Sequence, residues 1–590
     1  MNLNKEEQLN NLRHSCAHLL AAAVMELWPD TKRAIGPAIE NGFYFDFEFT
    51  NPISESDLSK IEKEMKKIVS NWRSFERHEL SEVDAKKEFP GNPYKHELID
   101  EFSQNGKKKV SFYKSGDYWD LCLGGHVDHP DKQLTHFKLL SIAGAYWRGS
   151  EKNKMLTRIY GTCWPTKEEL EKYLKQLEDA KKLDHRKLGH DLDLFVFSDL
   201  VGKGLPLWTP KGSVIRREIE RFIVDEEIKR NYLHVYTPDL ALLDLYKTSG
   251  HYPYYKDTMY APIKIEDEEF MLRPMTCPHH FELFKSKPRS YRELPLRIAE
   301  LAKQYRFEKS GELTGLMRVR SFCLADSHIV AKKEQAPAVI DEVLDLIDYV
   351  ASIFTYKPGE HYRYRLSLGE RGDDKKYYKD DASWDYAESV LRDVLKKRKE
   401  LFYEATNEAA FYGPKIDVQF KNIAGKEETA FTVQYDFVMP KRFKLEYTDS
   451  DGSLKEPIVI HRSSIGAIER TVAFLIEHYA GKFPVWLSPV QVTVIPIAQR
   501  HNVSARHLQE VLLQNSIRAE LDDRQESMQA KIRDATLQKV PYMGIIGDKE
   551  IGQDGRVQML SLRTRDGKNE GSISLDRFLE RVQNEIEKKS

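Results

Sequence analysis

The sequence contains few cysteines and therefore no basis for a disulfide-stabilised fold. Only five occur among 590 residues, and they are scattered along the chain at Cys16, Cys122, Cys163, Cys277 and Cys323. Secreted domains that depend on disulfides carry many closely spaced cysteines, whereas a low and odd number is typical of proteins in a reducing compartment. The composition therefore indicates a cytoplasmic protein.

The sequence also lacks long hydrophobic runs and a large net charge. The longest apolar stretch, residues 19–28, is interrupted by Glu26 and is too short to cross a bilayer. The first residues, MNLNKEEQLNN, lack the apolar core of a signal peptide. The net charge is −2, which excludes a chain coated with positive charge for non-specific nucleic-acid binding. A nucleic-acid partner would have to be bound by local basic patches.

The length is sufficient for three or four domains, and the sequence separates into four regions. Residues 1–164 mix helices with short strands, and residues 165–190 form a charged segment with leucines at the spacing of a solvated connecting helix. Residues 191–487 form a large block with many aromatic and β-branched strands. Residues 488–590 alternate strands with helices, which predicts a small α/β domain.

Three segments of the third region combine basic residues with glycine or proline. In residues 213–238 apolar side chains recur at helical spacing before a strand that ends in proline, a pattern that alone indicates only a buried helix. Residues 305–322 read YRFEKSGELTGLMRVRSF, which predicts a strand, a glycine-bearing loop and a second strand at LMRVRSF. Residues 461–470, HRSSIGAIER, are expected to open a helix that ends at Arg470.

One cysteine and two histidines stand in unusual local sequences. Cys277 lies in RPMTCPHH, His328 in DSHIV and His461 in VIHRSS. These residues are too widely separated for a zinc finger, and any one of them alone is more often an ordinary buried residue. As a set they offer a thiolate and two imidazoles, which zinc binds readily.

A second group of histidines and cysteines lies near the N-terminus. His14 and His18 are four residues apart and share one face of a helix. Cys122 and His126 repeat that spacing in DLCLGGH. The histidine pair alone fits an ordinary surface helix equally well, but with the second pair a metal or hydrolytic site is favoured.

These stretches, with AFYGPKID at 410–417 and GAIER at 466–470, resemble the catalytic core of the class II threonyl-tRNA synthetases. The HxxxH and CxxxH pairs, with IGPAIENGFYFDF at 35–47, resemble the editing domain that threonyl- and alanyl-tRNA synthetases share. The resemblance spans essentially the whole chain. It implies an α+β multidomain protein with an N-terminal α/β editing domain, an antiparallel-sheet class II core and a C-terminal α/β anticodon-binding domain. It also implies a homodimer formed through residues 213–238.

The resemblance further implies the residues that bind ATP. Arg306 would hold the α-phosphate, Arg318 and Arg470 the γ-phosphate, and Glu308 and Phe322 the adenine, with Gln434 nearby. The sequence has neither a P-loop nor a dinucleotide fingerprint. Phosphate binding would therefore depend on arginines and Mg²⁺. A guanidinium group can donate several hydrogen bonds to the phosphate oxygens on which negative charge develops.

By the same resemblance Cys277, His328 and His461 hold one Zn²⁺, and threonine completes its coordination through the amino nitrogen and the hydroxyl. Valine lacks the hydroxyl, and a site that uses the hydroxyl rejects such an analogue by ~10⁴ or more. The implied threonine-binding residues are Met275, Asp326, Tyr412, Lys415 and Gln434.

The sequence departs from the family pattern at four pocket positions. Leu324 and Ala325 replace a glutamine and an aspartate, Thr429 replaces a glutamine, and Ala467 replaces a serine. Leu324 has no amide to hydrogen-bond with the substrate, which favours a looser hold on threonine. The family also commonly carries a small ubiquitin-like TGS domain ahead of the editing domain. Because the HxxxH begins at His14, we expect that domain to be absent and the tRNA acceptor end to be held less tightly.

Serine carries the same hydroxyl and is smaller than threonine, so a size filter cannot exclude it and a second, hydrolytic site is needed. The residues implied for editing seryl-tRNA are His14, His18, Lys95, Asp120, Cys122 and His126. Loop bases of tRNA are read by hydrogen bonds to their exposed edges. The residues implied for the anticodon are Gln525, Arg533, Glu550 and Arg563.

The sequence therefore predicts a cytoplasmic, homodimeric ligase without a membrane segment, which uses ATP, L-threonine and tRNA(Thr) as substrates and edits seryl-tRNA(Thr). Two alternatives remain open. The four substitutions lend some weight to a non-catalytic paralogue, and a synthetase for serine or proline is the other possibility. The intact arginines and the cysteine–histidine trio favour a threonine-specific enzyme.

Overall fold

The computed structural model describes residues 5–104, 109–150, 152–423 and 425–590. The chain divides into two compact units, Met1–Glu178 and Asp179–Ser590. Within the described residues no helix is both long enough and apolar enough to span a lipid bilayer.

The first unit contains two antiparallel sheets. Five strands form the larger sheet, in which Gly42–Glu48 pairs with Met155–Cys163 and the latter with Phe137–Tyr146, while Lys32–Arg33 and Ala38–Ile39 flank the first strand. The smaller sheet consists of Glu76–Ser81, Lys109–Ser115 and Tyr118–Leu121. The helices of this unit are Lys5–Leu27, Leu58–Val69, Glu82–Lys87, Pro93–Gln104 and Pro130–Gln133.

The long first helix, Lys5–Leu27, places the HxxxH pair inside this unit. Its residues from Leu12 to Val24 are almost all buried, because the run LLAAAV has no polar face to turn toward water. The helix packs against Leu58–Val69 and Gly42–Glu48. His18 is buried and His14 is partly exposed, so the pair lies at the edge of the apolar core.

The connecting segment is helical, as predicted, but it consists of two helices. Lys167–Leu183 buries none of its residues. Asp184 then caps a second helix, His185–Asp191, by accepting a hydrogen bond from the backbone N–H of Arg186.

An eight-stranded sheet forms the centre of the second unit. Its six inner strands are antiparallel, and one parallel strand pairs at each edge. In spatial order the strands are Leu233–His234, Leu296–Tyr305, Ser321–Ala331, Ile458–Ala467, Glu427–Asp436, Lys415–Lys421, Tyr362–Ser367 and Phe402–Ala405. This is the antiparallel sheet that the sequence predicted, and it is not a Rossmann sheet.

Helices pack against one side of this sheet, and their buried residues form a single apolar cluster with those of the strands. Ala336–Ile353, Asp381–Arg398 and Ile468–His478 contribute buried residues to it. The helix Pro210–Lys229 adds Ile215, Ile219, Phe222 and Ile223, the residues whose spacing predicted a buried helix face. The remaining helices of the core are Leu243–Ser249, His251–Tyr254, Cys277–Lys285 and Met439–Phe443.

Small sheets complete the core. Leu240–Leu242, Glu268–Leu272 and Ile263–Ile265 form a three-stranded sheet. Two two-stranded sheets pair Phe195–Val196 with Leu207–Trp208 and Tyr447–Thr448 with Leu454–Lys455.

Two secondary-structure predictions in the core were wrong, one in the type of element and one in where the strand begins. His461 does not open a helix. It lies in the strand Ile458–Ala467, and Arg470 lies in the first turn of the following helix, Ile468–His478. Likewise the strand predicted at LMRVRSF begins only at Ser321. In the first case a fully buried strand lacks the alternation of polar and apolar residues that identifies a strand in sequence.

The last hundred residues form a mixed α/β arrangement, as predicted. Its sheet has the order Ala519–Leu521, Val492–Pro496, Tyr542–Ile546, Met559–Thr564 and Asn569–Ser574. The first three strands are parallel, and the last two form an antiparallel hairpin. The helices are Asn502–Gln514, Met528–Leu537 and Leu575–Glu587.

Candidate functional site

The cysteine–histidine trio converges at the middle of the central sheet. His328 and His461 are register partners on neighbouring antiparallel strands, so their side chains project from the same face. Their ring centroids lie 4.6 Å apart. Cys277 begins the helix Cys277–Lys285, and its sulfur and one nitrogen of each imidazole all lie within 4.8 Å of one another. All three side chains are buried.

The donor set and its surroundings fit a zinc ion. Burial raises the pKa of Cys277 well above its ordinary value and lowers the pKa of His328 well below it. Asp436 accepts a hydrogen bond from Nε2 of His461 at 2.7 Å, and Nδ1 of His328 lies 2.7 Å from His280. Each imidazole therefore contacts a protein neighbour through one nitrogen and keeps the other for a metal ligand bond. Zinc binding would convert the thiol to a thiolate.

A cavity of about 510 Å³ contains the trio and most of the predicted substrate residues. A volume of this size is typical of pockets for small molecules and cofactors. The predicted residues that line it with the trio are Met275, Arg306, Glu308, Arg318, Phe322, Asp326, Tyr412, Gln434 and Arg470. Lys415 does not line it. That side chain lies beside Gln434 in the sheet register but forms an ion pair with the buried Asp417 at 3.0 Å.

Three arginines reach one end of the cavity. Arg306 lies over the ring of Phe322, with 5.2 Å between its guanidinium carbon and the ring centroid. Arg470 donates to the carbonyl oxygens of Met317 at 3.1 Å and Thr429 at 2.8 Å, and burial lowers its pKa. These bonds fix its guanidinium at the cavity wall.

The third arginine is paired with the residue predicted to bind adenine. Arg318 lies 2.7 Å from a carboxylate oxygen of Glu308 and 2.9 Å from one of Glu312. Binding of a nucleotide by Arg318 and Glu308 in their predicted roles would require this pair to separate.

Polar and aromatic groups surround the end of the cavity near the trio. The Tyr412 hydroxyl donates to Gln434 at 2.6 Å, and its ring stacks on His461 with 5.1 Å between centroids. Burial raises the pKa of Asp326. Gln304 donates to Asp326 at 3.3 Å and to the hydroxyl of Thr276 at 3.0 Å.

The four departures from the family pattern divide between the cavity and the core. Leu324, Thr429 and Ala467 line the cavity, whereas Ala325 belongs to the apolar cluster beneath the sheet. Leu324 and Ala325 are adjacent in a strand and therefore face opposite sides. The Thr429 hydroxyl accepts from Gln419 at 2.7 Å.

Sequence reasoning missed three residues that touch the site. Asp436, His280 and Gln304 are buried and hydrogen-bonded to the predicted site residues. In the sequence Gln304 and Asp436 are polar residues of strands that carry several other polar side chains, and His280 is the second histidine of CPHH. Such a residue requires a buried partner, but the local pattern does not identify that partner.

The second group of histidines and cysteines also converges, within the first unit. One donor atom from each of His14, His18, Cys122 and His126 lies within 4.8 Å of the others. The sulfur of Cys122 lies 3.2 Å from Nε2 of His126 and 3.5 Å from Nε2 of His14. Burial raises the pKa of Cys122 to about 12 and lowers that of His126 to about 3. At neutral pH this group consists of a thiol among neutral imidazoles.

Lys95 and Asp120 form a buried ion pair near this group, with 2.8 Å between Nζ and the carboxylate. Burial alone raises the pKa of Asp120, but the charges of Arg33 and Lys95 outweigh that effect and lower it. Burial lowers the pKa of Lys95. The structure thus places all six predicted editing residues in one unit.

The predicted anticodon residues lie in a strand, a helix and the loops of the C-terminal portion. Arg563 lies in the strand Met559–Thr564, and Arg533 lies in the helix Met528–Leu537 beside Asp534 at 3.4 Å. Glu550 accepts from the backbone N–H of Gly547 at 2.9 Å, and Gln525 is exposed.

Three family models match the chain. Residues 260–479 match the tRNA synthetase class II core domain (G, H, P, S and T), and residues 491–585 match an anticodon binding domain. Residues 110–160 match the threonyl and alanyl tRNA synthetase second additional domain.

Curated relatives match nearly the full chain. The threonine–tRNA ligase of Anoxybacillus flavithermus is 47% identical over 99% of this chain and 89% of its own length. That of Staphylococcus carnosus is 47% identical over 98% of this chain and 89% of its own. The chain belongs to the threonyl-tRNA synthetase family. This membership confirms the predicted fold class, with its class II core, editing domain and anticodon-binding domain.

Solved threonyl-tRNA synthetase structures share the fold. The RNA binding domain of the Cryptosporidium parvum enzyme aligns with a TM-score of 0.64 at 33% identity, over 68% of this chain and 98% of that one. A putative threonyl-tRNA synthetase from Aeropyrum pernix aligns with a TM-score of 0.61 at 28% identity, over 69% and 97% of the two chains.

Proposed function

We propose that this threonyl-tRNA synthetase joins L-threonine to tRNA(Thr) in an ATP-dependent reaction through threonyl-adenylate, and hydrolyses seryl-tRNA(Thr) formed in error. One observation carries the proposal: a buried cysteine–histidine trio shares a single cavity with Arg306, Arg318 and Arg470. The trio is suited to recognising a hydroxy-amino acid, and the arginines are suited to holding a nucleoside triphosphate.

For the amino acid, Cys277, His328 and His461 would hold one Zn²⁺ per subunit. When bound, the ion supplies an electrophilic position for the amino and hydroxyl groups of threonine. Asp326 would accept a hydrogen bond from the substrate hydroxyl, while Met275 and Tyr412 would close the sides of the pocket. The Tyr412–Gln434 hydrogen bond would orient both side chains toward the substrate.

For ATP, Arg306 would stabilise the charge that develops on the α-phosphate when the threonine carboxylate attacks it. Arg318 and Arg470 would hold the γ-phosphate, and Mg²⁺ would bridge phosphate oxygens. Phe322 would stack on adenine. We infer that Glu308 changes partner on nucleotide binding, from Arg318 to the adenine amino group.

For editing, the neutral imidazoles of His14, His18 and His126 would orient a water molecule at the seryl ester. The buried Lys95–Asp120 pair would fix the positive charge of the lysine near the reacting carbonyl. This assignment is supported by the match to the second additional domain and by the convergence of the four donor atoms.

For tRNA, the C-terminal portion would read the anticodon through Gln525, Arg533, Glu550 and Arg563. We divide the chain into an editing domain at 1–164, a linker at 165–190, a catalytic domain at 191–487 and an anticodon-binding domain at 488–590. We also propose a cytoplasmic location, which is supported by five cysteines that are all free thiols.

A homodimer would cover apolar side chains around the helix Pro210–Lys229. Leu200 is 100% exposed, Tyr236 94% and Leu233 55%; they lie in the segments before and after that helix, and exposed apolar side chains are what a partner subunit would cover. Tyr236→Arg should shift the protein to monomers in sedimentation velocity. Leu537→Arg, at an exposed leucine of the C-terminal portion, serves as the control.

Amino-acid-dependent exchange of pyrophosphate into ATP tests the function. We expect strong exchange with threonine, weaker exchange with serine and exchange at least ~10⁴-fold lower with valine. A protein without exchange for any amino acid would be a non-catalytic paralogue. Faster exchange with serine or proline than with threonine would identify a different synthetase.

A further inference from the structure

Behind the trio, three side chains form a row that leads away from the cavity. Nδ1 of His328 lies 2.7 Å from Nδ1 of His280, and Nε2 of His280 lies 3.2 Å from Oε2 of Glu300. His280 is 1% exposed and Glu300 2%. The row crosses from the strand Ser321–Ala331 through the helix Cys277–Lys285 to the strand Leu296–Tyr305.

The far end of this row is a fixed carboxylate. Glu300 accepts hydrogen bonds from the hydroxyl of Thr237 at 2.7 Å and its backbone N–H at 3.2 Å, and Arg273 lies 3.0 Å away. Arg273 in turn pairs with Asp239 at 2.9 Å. These contacts anchor Glu300, which as a carboxylate can only accept hydrogen bonds.

With His280 in its neutral form, the direction of every hydrogen bond in the row follows from that end. Because Glu300 only accepts, Nε2 of His280 carries a proton and donates. A neutral His280 then accepts at Nδ1, so Nδ1 of His328 must carry the proton between the two rings. The remaining nitrogen of His328, Nε2, is left with a lone pair.

We propose that Glu300 and His280 are positioning residues that hold His328 in the tautomer and ring orientation needed to bind the metal ion. The inference rests on the zinc site of the proposed function and assigns roles to two residues outside the trio. A partner on the outer nitrogen of a ligating histidine typically changes metal affinity by 10–100-fold.

His461 is also hydrogen-bonded to a buried carboxylate, but directly and without an intervening histidine. Asp436, which is fully buried, accepts directly from Nε2 of His461, leaving Nδ1 for the metal. The two histidines would thus offer different ring nitrogens to the metal ion, Nε2 of His328 and Nδ1 of His461. On the His328 side, Nδ1 reaches the carboxylate of Glu300 only through His280, while Asp326 lies 3.9 Å from Nε2.

The chain supplies a matched control in the neighbouring residue. His279 is also buried and lies on the same helix, but neither of its ring nitrogens has a hydrogen-bond partner within the described structure. His280→Leu and His279→Leu therefore remove similar volume, but only the first removes a hydrogen bond to a metal ligand. His280→Asn, whose amide can both donate and accept, is the conservative variant.

The test measures the Zn²⁺ dissociation constant of the full-length protein by competition with a chromogenic chelator. We expect His280→Leu to raise the constant 10–100-fold, His279→Leu to leave it unchanged and His280→Asn to fall between them. Nitrogen-15 spectra of labelled histidines in the metal-free protein give an independent readout: His328 should carry its proton on Nδ1 in the wild type and lose that preference in His280→Leu.

Equal zinc affinities for His280→Leu and His279→Leu, with an unchanged His328 tautomer, would overturn the relay. If His280→Leu does not fold, the same comparison is made with His280→Asn and Glu300→Gln. Failure of the zinc site itself gives a different result, because the wild type would then bind no more zinc than Cys277→Ser.

Discussion

His328 and His461 are opposite each other in the pairing of two antiparallel strands, with their ring planes at 86° and their centroids 4.6 Å apart. The candidate metal site therefore depends on the sheet register. Slipping either strand by one residue would turn its histidine to the opposite face. On that opposite face lie apolar side chains such as Ala325 and Ile329.

Replacing Cys277 tests the metal site directly. Cys277→Ser should abolish stoichiometric zinc and reduce threonine-dependent exchange to background, because two imidazoles alone hold Zn²⁺ weakly. Metal analysis of the purified wild type should give one zinc per chain. Cys163→Ala, at a buried cysteine outside both clusters, should keep that value.

The same zinc measurement tests the N-terminal quartet of His14, His18, Cys122 and His126. We expect Cys122→Ala to leave the zinc content at one per chain, because the single zinc would be held by Cys277, His328 and His461. A content of two in the wild type that falls to one in this variant would show that the quartet also binds metal.

Removing an arginine from the ATP end should impair adenylation. We expect Arg306→Ala to lower kcat for exchange by ~10²–10³, as for other donors that stabilise developing charge. Arg392→Ala removes a partly exposed arginine that pairs with Glu404 and does not line the cavity, and it serves as the control. An unchanged rate in Arg306→Ala would remove this residue from the phosphate site.

Editing should be separable from charging. His18→Ala should leave threonine-dependent exchange unchanged and abolish hydrolysis of preformed seryl-tRNA(Thr), so that serine accumulates on tRNA. The control is His78→Ala, whose side chain is 45% exposed. Retained hydrolysis in His18→Ala, with normal folding, would place the editing chemistry elsewhere.

The buried carboxylate Glu300 should make stability depend on acid pH. Burial raises its pKa, but hydrogen bonds from His280 and Thr237 and the charge of Arg273 outweigh this and lower the pKa to about 2, against an ordinary value of 4.5. A depressed folded-state pKa stabilises the protein above the unfolded value. This contribution should be lost as the pH falls from 4.5 towards 2.

Urea unfolding at several pH values checks this expectation. Glu300→Gln cannot ionise, so its free energy of unfolding should be lower than the wild type's at pH 6 and should fall less steeply below pH 4.5. Parallel pH dependences for the two proteins would show that Glu300 does not titrate with a depressed pKa.

Much of the local structure could be predicted from the sequence. The spacing of Ile215, Ile219, Phe222 and Ile223 indicated a buried helix face, and the order of strands and helices after residue 488 was correct. The strand that carries His461 was mistaken for a helix because a strand buried on both faces shows no alternation. The roles of the predicted side chains came from family resemblance, and their convergence came from the fold.

The sequence by itself determined which chemical groups are available: one thiol, two imidazoles and three arginines in recognisable local settings, and a second set near the N-terminus. The tertiary structure decided which of them meet. It aligned His328 with His461, turned Lys415 toward Asp417, and placed His280 between His328 and Glu300. The reason is that local patterns act over a few residues, whereas strand neighbours and register are set by burying the apolar faces of the whole sheet.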